Sequence, residues 1–214
     1  MTTAGDNTAV VLVHGIWMHG VIMSVLAHRL EDCGFTCRTF TYSSVSETPV
    51  QNAVQLHEFV RRLDADTVHL VAHSLGGIVV LHLFERYNDL APGRIVLLGS
   101  PVNSSTVAER LTSLEPGRWV LGQSVQRALL GGAPTWRGER ELGVVAGTWS
   151  MGVGRLLGGL DGPDDGTVTV AETHLANSTD SVTAPVTHTG MVFSAEVAEQ
   201  VCTFLRTGRF HQVR

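Results

Sequence analysis

The sequence lacks the features that mark membrane and exported proteins. None of its apolar runs approaches the roughly 20 residues that a membrane-spanning helix needs. The segment from Met1 to Thr8 is polar, carries Asp6 and no basic residue, and leads almost directly into an apolar strand, unlike a secretory signal peptide. We therefore expect no transmembrane segment and a cytoplasmic location.

Cysteine and clustered positive charge are also scarce. The three cysteines, Cys33, Cys37 and Cys202, have neither CxxC nor Cys/His metal spacing, and an odd number argues against a full disulfide framework. A reducing cytosol fits this usage best. The formal net charge is -5 and the basic residues are scattered, so we expect no binding of nucleic acid or of an anionic membrane surface.

The sequence does have the apolar content of one core. Hydrophobic residues make up 43% of the 214 positions, which predicts a single domain over residues 1–214. Helical patterns cover residues 21–30, 50–63 and 75–84, and a last helix begins after Ser194 and ends before Gly208. Apolar runs of strand length, most of them β-branched, alternate with these helices at 9–13, 37–42, 67–72, 94–98, 142–146 and 181–186. This alternation predicts an α/β fold, a doubly wound, mostly parallel sheet of about six strands with helices on both faces.

Two stretches interrupt the alternation. Residues 104–141 contain no strand pattern but carry many leucines and two tryptophans, which predicts a small cap or lid. Residues 147–166 are rich in glycine and predict a mobile connection.

One strand leads directly into a serine between small residues. Residues 67–77 read TVHLVAHSLGG, so that an apolar strand, Ser74 and a buried helix follow one another. This pattern indicates a nucleophile elbow, in which a sharp turn lifts the serine oxygen above the end of the sheet. Ala72 stands where the GxSxG pattern has its first glycine, and Gly76 keeps the second. The alternative is a strand-helix junction whose serine only caps the helix.

A second loop supplies candidate donors for an oxyanion. Residues 10–17 read VVLVHGIW, a buried strand that ends in His-Gly. We expect the backbone N–H groups of Ile16 and Leu75 to converge above Ser74 and to stabilise the negative oxygen formed when a carbonyl is attacked. The alternative is an ordinary loop, although two such loops at the carboxyl ends of strands are what a binding crevice requires.

A serine nucleophile needs a histidine base, and of the ten histidines His188 has the best position. It follows the last predicted strand and precedes the final helix, which matches the chain order serine, acid, histidine. His174 is the second choice. His73 abuts the nucleophile but is expected to point away from it, and His14 and His19 are expected to shape the oxyanion loop.

The acid is expected after the penultimate strand, where the candidates are Asp161, Asp164 and Asp165. Asp165 is preferred because Gly166 lets the turn present its carboxylate before a short apolar run. Asp164 and Asp161 stay open, since Asp and Gly are also common turn formers with no catalytic task.

Together these segments resemble a small bacterial lipase or esterase of the α/β-hydrolase superfamily, over nearly the whole chain. The resemblance lies in VLVHGIW, VAHSLGG, IVLLGSPVNSS, PDDGTVTV and the final VTHTGMVFSAEVAEQVCTFLRTGRF. It implies a minimal version of the fold that lacks the superfamily's first two strands. It also implies a catalytic triad of Ser74, Asp165 and His188, and no metal or organic cofactor.

The resulting expectation is hydrolysis of a small-molecule acyl ester through an acyl-enzyme. Trp17, Met18, Trp149 and the apolar side chains between Leu111 and Trp136 are candidates for the acyl pocket, with ordinary core packing as the alternative. A thioesterase, amidase or acyltransferase would use the same machinery, and a binding module without catalysis could use the same fold.

Overall fold

The core of the protein is a six-stranded sheet in which every pair of neighbouring strands is parallel, in the order β2-β1-β3-β4-β5-β6. The computed structural model describes residues 7–18, 20–113, 133–152, 154 and 159–211. The sheet confirms the predicted fold class. Its strands are β1 Thr8–Val13, β2 Thr36–Phe40, β3 Thr67–His73, β4 Ile95–Leu98, β5 Leu142–Gly147 and β6 Asp180–Ala184.

The strand order reverses direction beside β1. From β1 the chain moves outward to β2, then returns to the other side of β1 and adds β3 to β6 in sequence. The helices that follow β1 and β3 pack on opposite faces of the sheet. In open α/β sheets, ligands bind at the carboxyl ends of the strands beside such a reversal. Both predicted site loops, after residues 13 and 73, begin at this point.

Helices cover both faces of the sheet. On one face, α2 (Pro49–Arg61) and α3 (Leu75–Arg86) pack on the strands, and on the other face α1 (Ser24–Asp32) and α6 (Ala195–Thr207) do so. The central strands β1, β3, β4 and β5 are buried on both sides, which explains their continuous apolar runs. The shorter helices are α4 (Thr106–Ser113), α5 (Val170–Thr173) and two 3₁₀ turns, Gly20–Met23 and Thr189–Phe193.

The ends of the last helix follow from local sequence chemistry. The Ser194 side chain accepts the backbone N–H of Val197 at 3.2 Å and so caps the first turn of α6. Gly208 ends the helix in the left-handed region, with φ 75°, where a side chain would be strained. Both residues act as the sequence predicted.

The structure differs from the sequence analysis in its cysteines. Cys33, just past the end of α1, forms a disulfide with Cys202 in α6, across 169 residues of sequence. The expectation of reduced thiols is wrong for this pair, because packing of α1 against α6 brings together two residues that sequence spacing does not connect. Cys37 is a free, buried thiol. The disulfide removes the cysteine argument for a cytoplasmic location, which stays a prediction.

Most of the predicted cap lies outside the described residues. Within 104–141 the structure describes residues 104–113, which contain α4, and the irregular segment from residue 133 onward. A cap or lid over 104–141, and a single domain over 1–214, remain predictions. No helix in the described part of the chain is long and apolar enough to cross a membrane.

The disulfide should contribute measurably to stability. Closing a loop of this length lowers the entropy of the unfolded chain, so we expect reduction to lower the free energy of unfolding by up to about 5 kcal/mol. Guanidinium unfolding with and without dithiothreitol measures this difference. The matched control is the double variant Cys33→Ser/Cys202→Ser, on which the reductant should have no effect. Equal stability of the oxidised and reduced wild type would contradict the prediction.

Strand β3 contains a buried histidine away from the site. Nδ1 of His69 accepts the backbone N–H of Arg94 at 2.8 Å. Burial first, and then the charges of Arg94 and Arg140, lower the pKa of His69 from 6.5 to about 4. The unfolded chain therefore binds a proton here as the pH falls below 6.5, whereas the folded chain does not until about pH 4, and His69 makes the fold less stable in this window.

Replacing His69 should remove this part of the acid sensitivity. In His69→Asn the amide oxygen can still accept the N–H of Arg94, but the side chain no longer titrates. We compare the free energy of unfolding of the wild type with that of the variant, and we expect the difference between them to be constant above pH 7. Between pH 6.5 and 4 the wild type should lose stability relative to the variant, by at most about 1.4 kcal/mol per pH unit. Urea unfolding at a series of pH values tests this, and parallel curves for the two proteins would contradict it.

Candidate active site

Ser74 stands in a strained turn between β3 and α3. Its backbone has φ 53° and ψ −122°, a conformation that L-residues rarely adopt and that turns the chain sharply. The N–H of Ser74 donates to the carbonyl of Leu98 in the neighbouring strand at 2.9 Å, which ties the turn to the sheet. Two residues after Ser74, glycine is required at position 76, because a Cβ there would lie 2.6 Å from the carbonyl oxygen of Val13.

His188 lies beside this serine. Its Nε2 is 3.0 Å from Oγ of Ser74, and its backbone N–H donates to the carbonyl of Asp165 at 2.8 Å. The residue follows β6 and immediately precedes the 3₁₀ turn Thr189–Phe193. The alternative base, His174, is exposed and lines a groove described below.

Asp165 is fully buried and accepts three hydrogen bonds through its carboxylate. Oδ1 accepts the backbone N–H groups of Thr167 at 2.9 Å and Val168 at 2.7 Å, and Oδ2 is 2.7 Å from Nδ1 of His188. The other two candidate acids lie in different environments. Asp164 accepts the N–H of Gly166 at 2.7 Å, and Asp161 is exposed. Among the three candidates, Asp165 is therefore the one that the structure joins to His188.

These contacts define the protonation of the imidazole. Asp165 accepts a hydrogen bond from Nδ1–H of His188, so Nε2 carries the lone pair and can accept the hydroxyl proton of Ser74. This is the arrangement by which a serine hydroxyl becomes a nucleophile. The structure thus brings together the three residues predicted for the triad, and their catalytic roles stay predictions.

Asp165 and His188 meet over a glycine. Gly99, just after β4, has φ 56°, and a Cβ there would lie 3.2 Å from both Oδ2 of Asp165 and Nδ1 of His188. A side chain at this position would push into the pair and strain the backbone as well. The space for the pair therefore depends on a residue in a third loop.

The two predicted oxyanion residues are also neighbours. The side chains of Ile16 and Leu75 pack into one small apolar cluster with Ile78 and Ala108. Leu75 is the first residue of α3, where backbone N–H groups have no acceptor inside the helix. This geometry is compatible with two convergent donors, and their role as an oxyanion hole stays a prediction.

A tyrosine that the sequence analysis did not name fixes the oxyanion loop. The hydroxyl of Tyr42 donates to the carbonyl of His14 at 2.7 Å, and the two rings stack with centroids 4.4 Å apart. Nδ1–H of His14 donates to the carbonyl of Gly15 at 2.8 Å, so His14 shapes the loop as expected. The signal for Tyr42 was its position at the end of β2, since parallel strands end at one edge of the sheet.

The predicted substrate-binding residues lie in different environments. Trp17 and Trp149 are 49% and 57% exposed, on the loops that follow β1 and β5. Met18 is partly buried and packs against the core under α1 and α6. Trp136 is core, with an edge-to-face contact to Phe84.

A groove of about 850 Å³ opens on the α2/α3 side of β5 and β6. Its lining contains Val144, Ala146 and Val182 together with residues of α5, but none of Ser74, Asp165 and His188. It is therefore not the place where a reacting carbonyl would meet the serine. In the described part of the chain, no group of three or more His, Cys, Asp or Glu side chains is arranged to hold a metal ion.

Known structures share this fold. The mature form of Bacillus licheniformis lipase BlEst2 is 19% identical, over 95% of this chain and 93% of that chain, with a TM-score of 0.72. The metagenomic carboxyl esterase MGS0156 is 18% identical, over 87% of this chain and 66% of that chain, with a TM-score of 0.73. A lipase-esterase related protein from Clostridium acetobutylicum ATCC 824 is 14% identical, over 94% and 95% of the two chains, with a TM-score of 0.64. At these identities the likeness establishes the fold alone.

No curated protein sequence matches the chain. The model of one sequence family, described as "Alpha/beta hydrolase family", matches residues 10–205, a range that includes the three residues of the predicted triad and extends from β1 into α6. Because this match covers most of the sequence, the chain belongs to the alpha/beta hydrolase family.

Proposed function

We propose that the protein hydrolyses carboxylic esters through an acyl-enzyme intermediate on Ser74. The observation that carries the proposal is the continuous hydrogen-bonded path from Oγ of Ser74 to Nε2 of His188, and from Nδ1 of His188 to Oδ2 of Asp165. Its two distances, 3.0 and 2.7 Å, are within the range needed for proton transfer and for charge stabilisation.

In the first half-reaction Ser74 attacks the ester. Nε2 of His188 accepts the hydroxyl proton while Oγ forms a bond to the carbonyl carbon, and the carbonyl oxygen becomes negative. The N–H groups of Ile16 and Leu75 stabilise that oxygen, and Asp165 stabilises the imidazolium. The intermediate collapses when the bond to the alcohol oxygen breaks, and His188 gives its proton to the departing alcohol.

In the second half-reaction water replaces the alcohol. His188 accepts a proton from the water, whose oxygen bonds to the acyl carbon and forms a second oxyanion. Collapse breaks the bond to Oγ of Ser74, which recovers its proton from His188, and the carboxylic acid leaves. No group beyond the named residues, the ester and water is needed to balance these steps.

The relatives support an ester as the substrate. The similar structures are named as a lipase, a carboxyl esterase and a lipase-esterase related protein. Exposed aromatic side chains beside the triad support an ester with an apolar chain. Trp17 directly follows the oxyanion residue Ile16, and the N–H of Trp149 donates to the carbonyl of Val186 at 3.1 Å, two residues before His188.

Substitution of the triad tests the reaction. We expect Ser74→Ala and His188→Ala to lower kcat for p-nitrophenyl esters by about 10⁴-fold or more, and Asp165→Asn by about 10²- to 10⁴-fold, because the base loses its orientation. The matched control is Asp164→Asn, whose amide oxygen can still accept the N–H of Gly166, so that activity should stay near that of the wild type. Full activity of Ser74→Ala would refute the proposed nucleophile.

Substitution of the exposed tryptophans tests the substrate class. Trp17→Ala and Trp149→Ala should each lower kcat/KM for p-nitrophenyl octanoate by about tenfold while changing that for the acetate ester little, because less apolar surface is buried on binding. The conservative variants Trp17→Phe and Trp149→Phe should keep most of the preference for the longer chain. An equal loss on both esters would contradict a role in binding the chain.

A further inference from the structure

A second histidine stands directly before the nucleophile and is not used in the chemistry above. His73 is the last residue of β3, its side chain is buried, and strand alternation puts it on the same face of the sheet as Val71, the face covered by α1 and α6. Its Nε2 is 3.0 Å from the backbone carbonyl oxygen of His188, and the two rings lie with centroids 4.8 Å apart. A group on the nucleophile's own strand therefore touches the backbone of the base.

His188 makes further hydrogen bonds on the side of the acid loop. Asp165 accepts two of them, from the backbone N–H of His188 and from its Nδ1–H. These two bonds hold one side of the residue to the acid loop. Nε2 of His73 donates to the backbone carbonyl of His188, the group that also begins the 3₁₀ turn Thr189–Phe193.

We propose that His73 is a positioning residue for catalysis, which donates Nε2–H to the carbonyl of His188 and so sets the distance between the base and Ser74. This inference rests on the proposed function, because it assigns a role within that reaction. His73 makes no contact with the ester. It acts through His188, by linking the strand that carries the nucleophile to the loop that carries the base.

The surroundings of His73 define which nitrogen carries the proton. Burial, reinforced by the neighbouring imidazole of His188, lowers the pKa of His73 to about 3, so the ring is neutral and has one N–H. Nδ1 has no hydrogen-bond partner among the residues that the structure describes, whereas Nε2 faces a carbonyl acceptor. The proton is therefore on Nε2, where it forms a hydrogen bond.

The opposite edge of the ring touches the oxyanion loop. A Cβ on Gly15 would lie 3.0 Å from Nδ1 of His73 and 3.0 Å from Cβ of Ser74. His73 therefore fills the space between the loop after β1 and the loop that holds His188. A smaller side chain would leave this space empty, and a side chain without a donor would remove the hydrogen bond from β3 to the carbonyl of His188.

The kinetic effect follows from the sensitivity of proton transfer to position. A displacement of about 1 Å in a catalytic group lowers the rate by as much as about 100-fold. Loss of the bond from His73 removes one restraint on the peptide that follows the base, and we expect the distance between Nε2 of His188 and Oγ of Ser74 to change. The effect should appear in kcat, since no contact with bound substrate is removed.

Variants with glutamine and asparagine at position 73 distinguish the hydrogen bond that the side chain donates from the volume that it fills. The amide nitrogen of glutamine lies about as far from Cβ as Nε2 of histidine, and that of asparagine about as far as Nδ1. His73→Gln can therefore donate to the carbonyl of His188, whereas His73→Asn and His73→Phe cannot. We expect kcat to fall about 10- to 100-fold in the Asn and Phe variants, with KM changed less than about threefold, and to stay within about threefold of the wild type in His73→Gln.

The measurement is the hydrolysis of p-nitrophenyl butyrate, with kcat normalised to the sites that react with a fluorophosphonate. The downfield proton resonance of Nδ1–H of His188, bound to Asp165, is recorded for each variant by NMR. It should be retained in the Gln variant and shifted or broadened in the Asn variant. The control is His69→Asn, a buried histidine on the same strand that contacts Arg94 instead, and its normalised kcat should equal that of the wild type.

Two results would overturn the inference. One is wild-type kcat in both His73→Asn and His73→Phe, and the other is an equal loss in the Gln and Asn variants, which would assign His73 to packing alone. Failure of the proposed function is a different outcome, in which the wild type neither hydrolyses the ester nor reacts with the fluorophosphonate. In that case the Nδ1–H resonance of His188 still tests whether His73 positions this residue, because the NMR measurement needs no substrate.

Discussion

The arrangement of the site depends on the parallel pairing of β1, β3, β4 and β5, because parallel strands end at one edge of the sheet. The loops after these strands carry Ile16, Ser74, Gly99 and Asp165, which come from positions up to 149 residues apart in the sequence. None of these loops could bring its residue to the others if one strand ran in the opposite direction. The hydrophobic burial that stabilises the sheet therefore also determines where these residues lie relative to one another.

Within that frame, His188 is the residue with the most restraints. Asp165 accepts hydrogen bonds from its backbone N–H and from its ring, His73 approaches its carbonyl, and Ser74 lies at its remaining nitrogen. A base held in this way loses little entropy when the reaction begins, which is the advantage of a preorganised site. The strained backbone of Ser74 stores energy at the same place, and the hydrogen bond from its N–H to the sheet compensates part of that cost.

Much of this was predictable from sequence, for identifiable reasons. The strands were found because buried parallel strands read as continuous β-branched runs, and Ser74 was found because an elbow requires small residues at fixed spacing. Asp165 was preferred because Gly166 follows it, and only the structure shows that Asp165, and not Asp164, contacts His188, since adjacent aspartates share nearly the same sequence context. The disulfide between Cys33 and Cys202, the contact of Tyr42 with His14 and the direction of the His73 bond depend on how distant elements pack, which local pattern does not contain.

The central claim is that an acyl group is carried on Ser74 during turnover. The most direct test is to quench the wild-type protein in acid while it hydrolyses a p-nitrophenyl ester, to digest it, and to locate the added acyl mass by mass spectrometry. The account predicts that mass on the peptide that contains Ser74, and its absence from the same peptide of Ser74→Ala. Turnover of the ester with the acyl group on another residue, or with no acylated peptide at all, would contradict it.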